Sequence, residues 1–135
     1  MSLLEVSVVL AVLLALTSVL IIGSRAWKSS ADRTGCILQI RDIQMSVRTY
    51  QNIYGYSAGS MPYAENGTQD IAIHLYSKGY INPRQFAAAI GVAPCMGGGA
   101  YARTRPDVFP AVGTLYLSCS LSDSRAHRLD ADVEW

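Results

Sequence analysis

The chain opens on an apolar run, MSLLEVSVVLAVLLALTSVLIIGS, that holds a single carboxylate, Glu5; the next charge is Arg25. Counted from Leu3, about 20 residues at a rise of about 1.5 Å match a bilayer core of about 30 Å. The many β-branched residues do not oppose a helix there, because in lipid a helix satisfies its own backbone. Trp27 with Arg25 and Lys28 supplies an interfacial anchor at the far end. Beyond Ser24 the pattern turns amphipathic. Cys36, Ile40, Ile43, Val47, Tyr50 and Tyr54 recur at 4-3-4-3-4 spacing, one stripe of a helix facing a core. Arg33, Arg41, Asp42 and Arg48 lie largely off it. Gly55 suits a helix terminator. The pattern predicts one helix from near residue 2 to about residue 54, roughly 80 Å long. Its apolar half is 1–24 and its amphipathic half 25–55, with Thr17, Ser18, Gly23 and Ser24 the points where it would bend or melt.

Residues 56–135 read as a globular head. A loop rich in glycine, serine, proline and asparagine spans 57–67. Thr68 is expected to cap a short helix, TQDIAIHLYSK, with Ile71, Leu75 and Tyr76 inward and Gly79 ending it. Asn82 and Pro83 start a second piece, PRQFAAAI, followed by Gly91. Two strands come next. AYARTR alternates around Tyr101, Arg103 and Arg105. GTLYLSCS sets Leu115, Leu117 and Cys119 against Tyr116, Ser118 and Ser120. PDVFPAVG joins them as a loose hairpin, and a last short strand is expected near His127 to Leu129. The fold class is therefore α+β: a long N-terminal helix packed on a small antiparallel sheet, each solving the other's core problem.

Chemistry enters first through Glu5. A carboxylate at a helix centre in lipid costs about 2.5–3.5 kcal/mol, so it calls for a partner. One candidate is the amino group of a neighbouring copy, which would make the segment both an anchor and an assembly device with a fixed register. The simpler alternative is a single-span anchor whose Glu5 reaches back to the headgroups. A cleaved signal peptide fits less well, since the start is not basic and the run is long. The positive-inside rule places Arg25 and Lys28 in the cytoplasm, whereas a disulfide-forming head belongs on the exported side. A basic leader removed from before Met1 would resolve that conflict.

Over 135 residues the net charge is +1 with scattered bases, which gives no case for a nucleic-acid partner. The three cysteines are an odd set. A Cys95–Cys119 disulfide would close a loop of about 25 residues and contribute roughly 3–4 kcal/mol. Cys36, on the apolar stripe, reads as a small buried hydrophobe. A metal site using Cys95, Cys119, His127 and His74 is the alternative, but its spacing matches no usual zinc pattern. Asp123, Asp130, Asp132 and Glu134 could hold calcium, though acids in such a segment are more often solvated. Gly97-Gly98-Gly99 lacks the Lys-Ser/Thr ending of a phosphate loop and reads as a turn. Asn66-Gly67-Thr68 matches a glycosylation sequon of a kind that arises by chance. No nucleophile arrangement is recognisable, so neither an enzyme nor a cofactor is expected.

MSLLEVSVVLAVL resembles the mature amino terminus of type IV pilins and type II secretion pseudopilins. The matching features are the apolar stretch, Glu5 at the fifth position and the continuation into an amphipathic half-helix. The resemblance implies cleavage by a prepilin peptidase, N-methylation of Met1, storage in the inner membrane and assembly into a helical homo-oligomer. It also implies that Glu5 pairs with the Met1 amine of a neighbour. Softer similarities follow in CILQIRDIQMSVRTYQN, KGYI, CMGGGAY, GTLYLSCS and His127; in that branch the two late cysteines resemble a head-stabilising disulfide. Two departures stand out. Methionine replaces the phenylalanine that begins many members, and the proline many carry near position 22 is absent, with Ile22 and Gly23 there instead. The expected function is a structural subunit of an extracellular type IV pilus. A periplasmic pseudopilin, to whose acidic-aromatic end the terminal DVEW is similar, is the alternative. A membrane-anchored binding module that never polymerises is a third reading, from another class.

Overall fold

The computed structural model describes residues 2–129. The architecture is α+β. In chain order it comprises α1 (Leu3–Tyr54), α2 (Ile71–Ser77), α3 (Pro83–Ala89), β1 (Tyr101–Arg103) and β2 (Leu117–Cys119). The chain divides into two compact units, Met1–Ala31 and Asp32–Trp135.

In the first unit residues 3–31 are helix, and residues 2–31 are exposed throughout. The helix runs unbroken through Thr17, Ser18 and Gly23, so the expected melting point is not melted in the single chain. The reason is local. Thr17 and Ser18 satisfy their hydroxyls on the carbonyls of Leu14 and Ala15, bonds that can bend a helix but do not remove a backbone bond from it. A lone glycine costs only about 1 kcal/mol, where a proline would remove a backbone bond.

In the second unit α1 turns one face into a core. Cys36, Ile40, Ile43, Val47 and Tyr50 are all buried, as the stripe predicts. Tyr54 departs from it. As the last helical residue it stays 47% exposed, its ring 4.6 Å from that of Tyr50 and below the Lys78 ammonium. Two polar residues are buried that the apolar stripe does not mark, Gln44 and Gln51. Arg48, off the stripe, donates to the carbonyls of Pro110 at 2.6 Å and Ala111 at 2.7 Å, which ties the inter-strand loop to the helix. The helix ends in a Schellman closure: the Tyr56 amide bonds to the Gln51 carbonyl, around Gly55 at φ +70°. The chain leaves α2 and α3 in the same way.

The cap of α2 is Asp70, not Thr68. Its carboxylate accepts from the Ala72 amide, while the Thr68 hydroxyl accepts from the Asp70 amide one step upstream. Asn82 and Gln85 form a reciprocal capping box on α3. The sheet is smaller than the alternation suggests. Tyr101 pairs with Cys119, Ala102 with Ser118 and Arg103 with Leu117, antiparallel. Beyond these pairs the Thr104 amide still donates to the Tyr116 carbonyl at 3.1 Å, but the Tyr116 amide donates to Gln44 Oε1 at 2.8 Å instead of back to the facing strand, and the ladder ends. Tyr116 is accordingly buried, against the alternation that turned it outward. The strand expected near His127 does not form. The amides of Arg125 and His127 both turn back onto the Leu121 carbonyl, with Ala126 at φ +53°. The core is one cluster, joining the α1 stripe to Ile71, Leu75, Tyr101, Phe109, Tyr116 and Leu117.

Candidate functional site

Among the described residues two places carry chemistry, one in each unit. At the start of α1, Ser2 and Glu5 close a capping box. The Ser2 amide donates to Glu5 Oε2 at 2.8 Å, and the Glu5 amide donates to the Ser2 hydroxyl at 3.3 Å. The pattern Ser-x-x-Glu ahead of an apolar run is the sequence signature of this motif, and it escapes a reading that treats Glu5 only as an acid in lipid. Glu5 thus has a partner within its own chain. Met1, the other half of the expected inter-subunit pair, lies outside the described residues. Past Glu5 the helix is uncharged and apolar until Arg25, and it is long and apolar enough to cross a membrane.

The second place is in the head. Cys36 from α1, Cys95 from the turn before β1, Cys119 at the end of β2 and His127 beyond it converge. All four are buried, and their ligating atoms lie within 4.8 Å of one another. The expected Cys95–Cys119 bridge is not formed: all three cysteines are free thiols. Those two sulfurs share their pocket with a third thiol and an imidazole, so the arrangement is a four-group cluster and not a pair.

Local structure aims each group. The Cys95 sulfur accepts the Gly97 amide at 3.4 Å, and the Cys119 sulfur accepts the Leu121 amide at 3.5 Å, the same two-residue step at both sites. His127 Nδ1 lies 3.3 Å from the Cys95 sulfur. The glycine run is what lets the ring in. A Cβ on Gly97 would stand 2.6 Å from His127 Cε1, and one on Gly99 would stand 2.7 Å from Leu121 Cγ. Met96, in the same turn, covers Gly35 so closely that a Cβ there would strike its sulfur. Arg33 reaches from α1 to the Ala126 carbonyl at 2.9 Å and holds the backbone beside His127.

The electrostatics separate the thiols. Burial, followed by its interaction with Cys95, pushes the Cys36 thiol far up. Burial also raises Cys119. Burial acts upward on Cys95 as well, but hydrogen bonding from Cys36, the Gly97 amide, Cys119 and the Gly99 amide outweighs it and leaves this thiol below its ordinary value. Cys95 is the sulfur most readily ionised.

The other sequence candidates fall elsewhere. His74 lies on α2 and faces Glu65 at 3.3 Å and the Thr68 carbonyl at 3.1 Å, so it is not part of the thiol cluster. Of the calcium candidates, Asp123 is exposed, 3.8 Å from Arg128. Asp130, Asp132 and Glu134 lie outside the described residues. Cys36 was readable only as a core position, because nothing in its spacing points at residues about 60 to 90 positions away.

No protein-family model, no curated protein and no solved structure matches this chain.

Proposed function

We propose that this protein is a structural subunit of an extracellular type IV pilus, stored in the inner membrane and polymerised through the apolar half of α1. One observation carries the reading: residues 3–31 form helix whose side chains are all exposed, at an apolar composition that water does not tolerate. Such a surface needs lipid or other copies of itself. The α+β head outside it matches the division of labour that the amino-terminal resemblance implies. In this reading Glu5 exchanges its bond to the Ser2 amide for the amino group of a neighbouring processed chain, and that pair sets the axial register.

The test is deletion of the gene followed by microscopy and secretion assays. Loss of long surface fibres that contain this chain supports the pilus. Loss of exoprotein secretion with fibres unchanged replaces it with the pseudopilin.

The Ser2–Glu5 capping box favours one second reading, a single-span anchored module. There Glu5 serves only to start the helix and needs no partner from another copy. Intact fibres and intact secretion after deletion select it.

A further inference from the structure

We infer that Cys36, Cys95, Cys119 and His127 form a tetrahedral site for a structural zinc ion. The inference stands on the head alone and does not depend on whether the chain polymerises.

The donor set is the first argument. Three sulfurs and one imidazole nitrogen are a recurring structural zinc set, and four protein ligands leave no open position for catalysis. Soft thiolates select zinc over calcium or magnesium.

The distances are the second. Zinc bonds of about 2.3 Å to sulfur and about 2.0 Å to nitrogen put tetrahedral ligand atoms about 3.5–3.8 Å apart. Here all four ligating atoms already lie within 4.8 Å, and Cys95 Sγ and His127 Nδ1 are 3.3 Å apart. Closing onto a metal takes shifts of about 1 Å or less.

The third argument is the surroundings, which are built for anionic sulfur. Cys95 and Cys119 each receive a backbone amide from two residues on, Gly97 to Cys95 and Leu121 to Cys119. An N–H aimed at sulfur stabilises a thiolate more than a thiol, and outer-shell bonds of this kind orient metal ligands. Gly97 leaves room for the imidazole at a separation that any side chain would close off. A disulfide between Cys95 and Cys119 would use neither Cys36 nor His127, and would leave a thiol and a ring nitrogen buried against it.

Zinc here would join four separated stretches: the spine helix, the glycine turn, the end of β2 and the segment after it. Since binding free energy at such a site is also folding free energy, the ion would add to what the small core of this head supplies. Each thiol that binds as thiolate releases one proton, and the metal undergoes no change of oxidation state.

The test uses the full chain, extracted in detergent without chelator; one portion is alkylated for mass spectrometry before any reductant is added, and the rest is kept in reductant for the metal assays. The expected result is about one zinc per chain by elemental analysis. Cobalt(II), exchanged in, should give the intense visible bands of a tetrahedral thiolate complex. The three thiols should resist alkylation until a chelator is added, and the chelator should lower the melting temperature. Cys36→Ser should lose the metal, a result that a Cys95–Cys119 disulfide would not produce. If that variant fails to fold, His127→Gln is the second: it keeps all three thiols and should lose zinc and the cobalt spectrum. Three results overturn the site: wild-type protein with three free thiols that takes up neither zinc nor cobalt, a Cys95–Cys119 bridge found by mass spectrometry, or a His127→Gln variant that binds zinc like the wild type.

Discussion

One guanidinium nitrogen of Arg103 on β1 contacts both carboxylate oxygens of Asp70, at 2.7 and 2.6 Å, while the same carboxylate caps α2. One acid thereby starts a helix and pins it to the sheet. Asp70→Ala removes both functions and should cost about 1–3 kcal/mol, a cap together with a charged hydrogen bond. Arg103→Ala leaves the cap and should cost less, about 1 kcal/mol, because both partners are partly exposed. Thermal melts of the full chain in detergent, read by near-ultraviolet circular dichroism, measure both. A double-mutant cycle between them should show coupling, and strict additivity would remove the link between helix and sheet.

Gln44 is buried on α1 and answers two backbone groups of the strand region, the Tyr116 amide at 2.8 Å and the Thr114 carbonyl at 3.2 Å. Gln44→Leu keeps the volume and leaves the buried Tyr116 amide without a partner, whereas the carbonyl of the exposed Thr114 can turn to water. The expected loss is about 1–3 kcal/mol, larger than for a leucine on an ordinary helix surface. Hydrogen exchange should then quicken at the Tyr116 amide first. Protection unchanged at that amide would show that another acceptor serves it.

Glu5 can be tested for its two roles separately. Glutamine at this position preserves the capping box and removes the charge. If Glu5 acts between subunits, Glu5→Gln inserts in the membrane normally, keeps its helix and fails to enter fibres, while Ser2→Ala assembles. If Glu5 acts only as a cap, Glu5→Gln assembles like the wild type. Fibre yield and membrane content, measured on the same cells, decide between them.

Glu65 sits between Lys78, at 3.0 Å, and His74. Hydrogen bonding and charge from Lys78 hold its carboxyl below the usual value. A depressed acid stabilises the fold above its unfolded-state value, and that contribution fades as pH falls through the lowered one. The effect should be small, since Glu65 is about half exposed. Carbon-detected titration of the Glu65 carboxyl should show the depression, and Lys78→Ala should lift the value toward normal. A titration unmoved by that substitution would assign the shift elsewhere.

The helix was readable because its signals are local and repeated. Cys36 to Tyr50 recur at helical spacing, and Gly55 marks the stop. Glycines and Asn82-Pro83 likewise placed the short helices within a residue or two. The sheet was readable only in part. Alternation put Leu117 and Cys119 inward, but it could not register that Gln44, over 70 positions earlier, takes the Tyr116 amide and ends the ladder. The thiol cluster was the least legible part. Cys36 carries the same apolar signature as Ile40 beside it, and its approach to His127 depends on how three turns fold back. The one local trace was the pair Gly97 and Gly99, read as a turn when they also serve to admit a ring and a leucine.

The exposed helix at residues 3–31 has a consequence for the life of the molecule. A single copy leaves this apolar surface to be covered by lipid or by protein. If the chain assembles as proposed, each copy passes from lipid into contact with its own kind, and a copy shed from the assembly must return to a bilayer or precipitate. Exchange between the two would then occur at a membrane boundary and not by diffusion through the surrounding water.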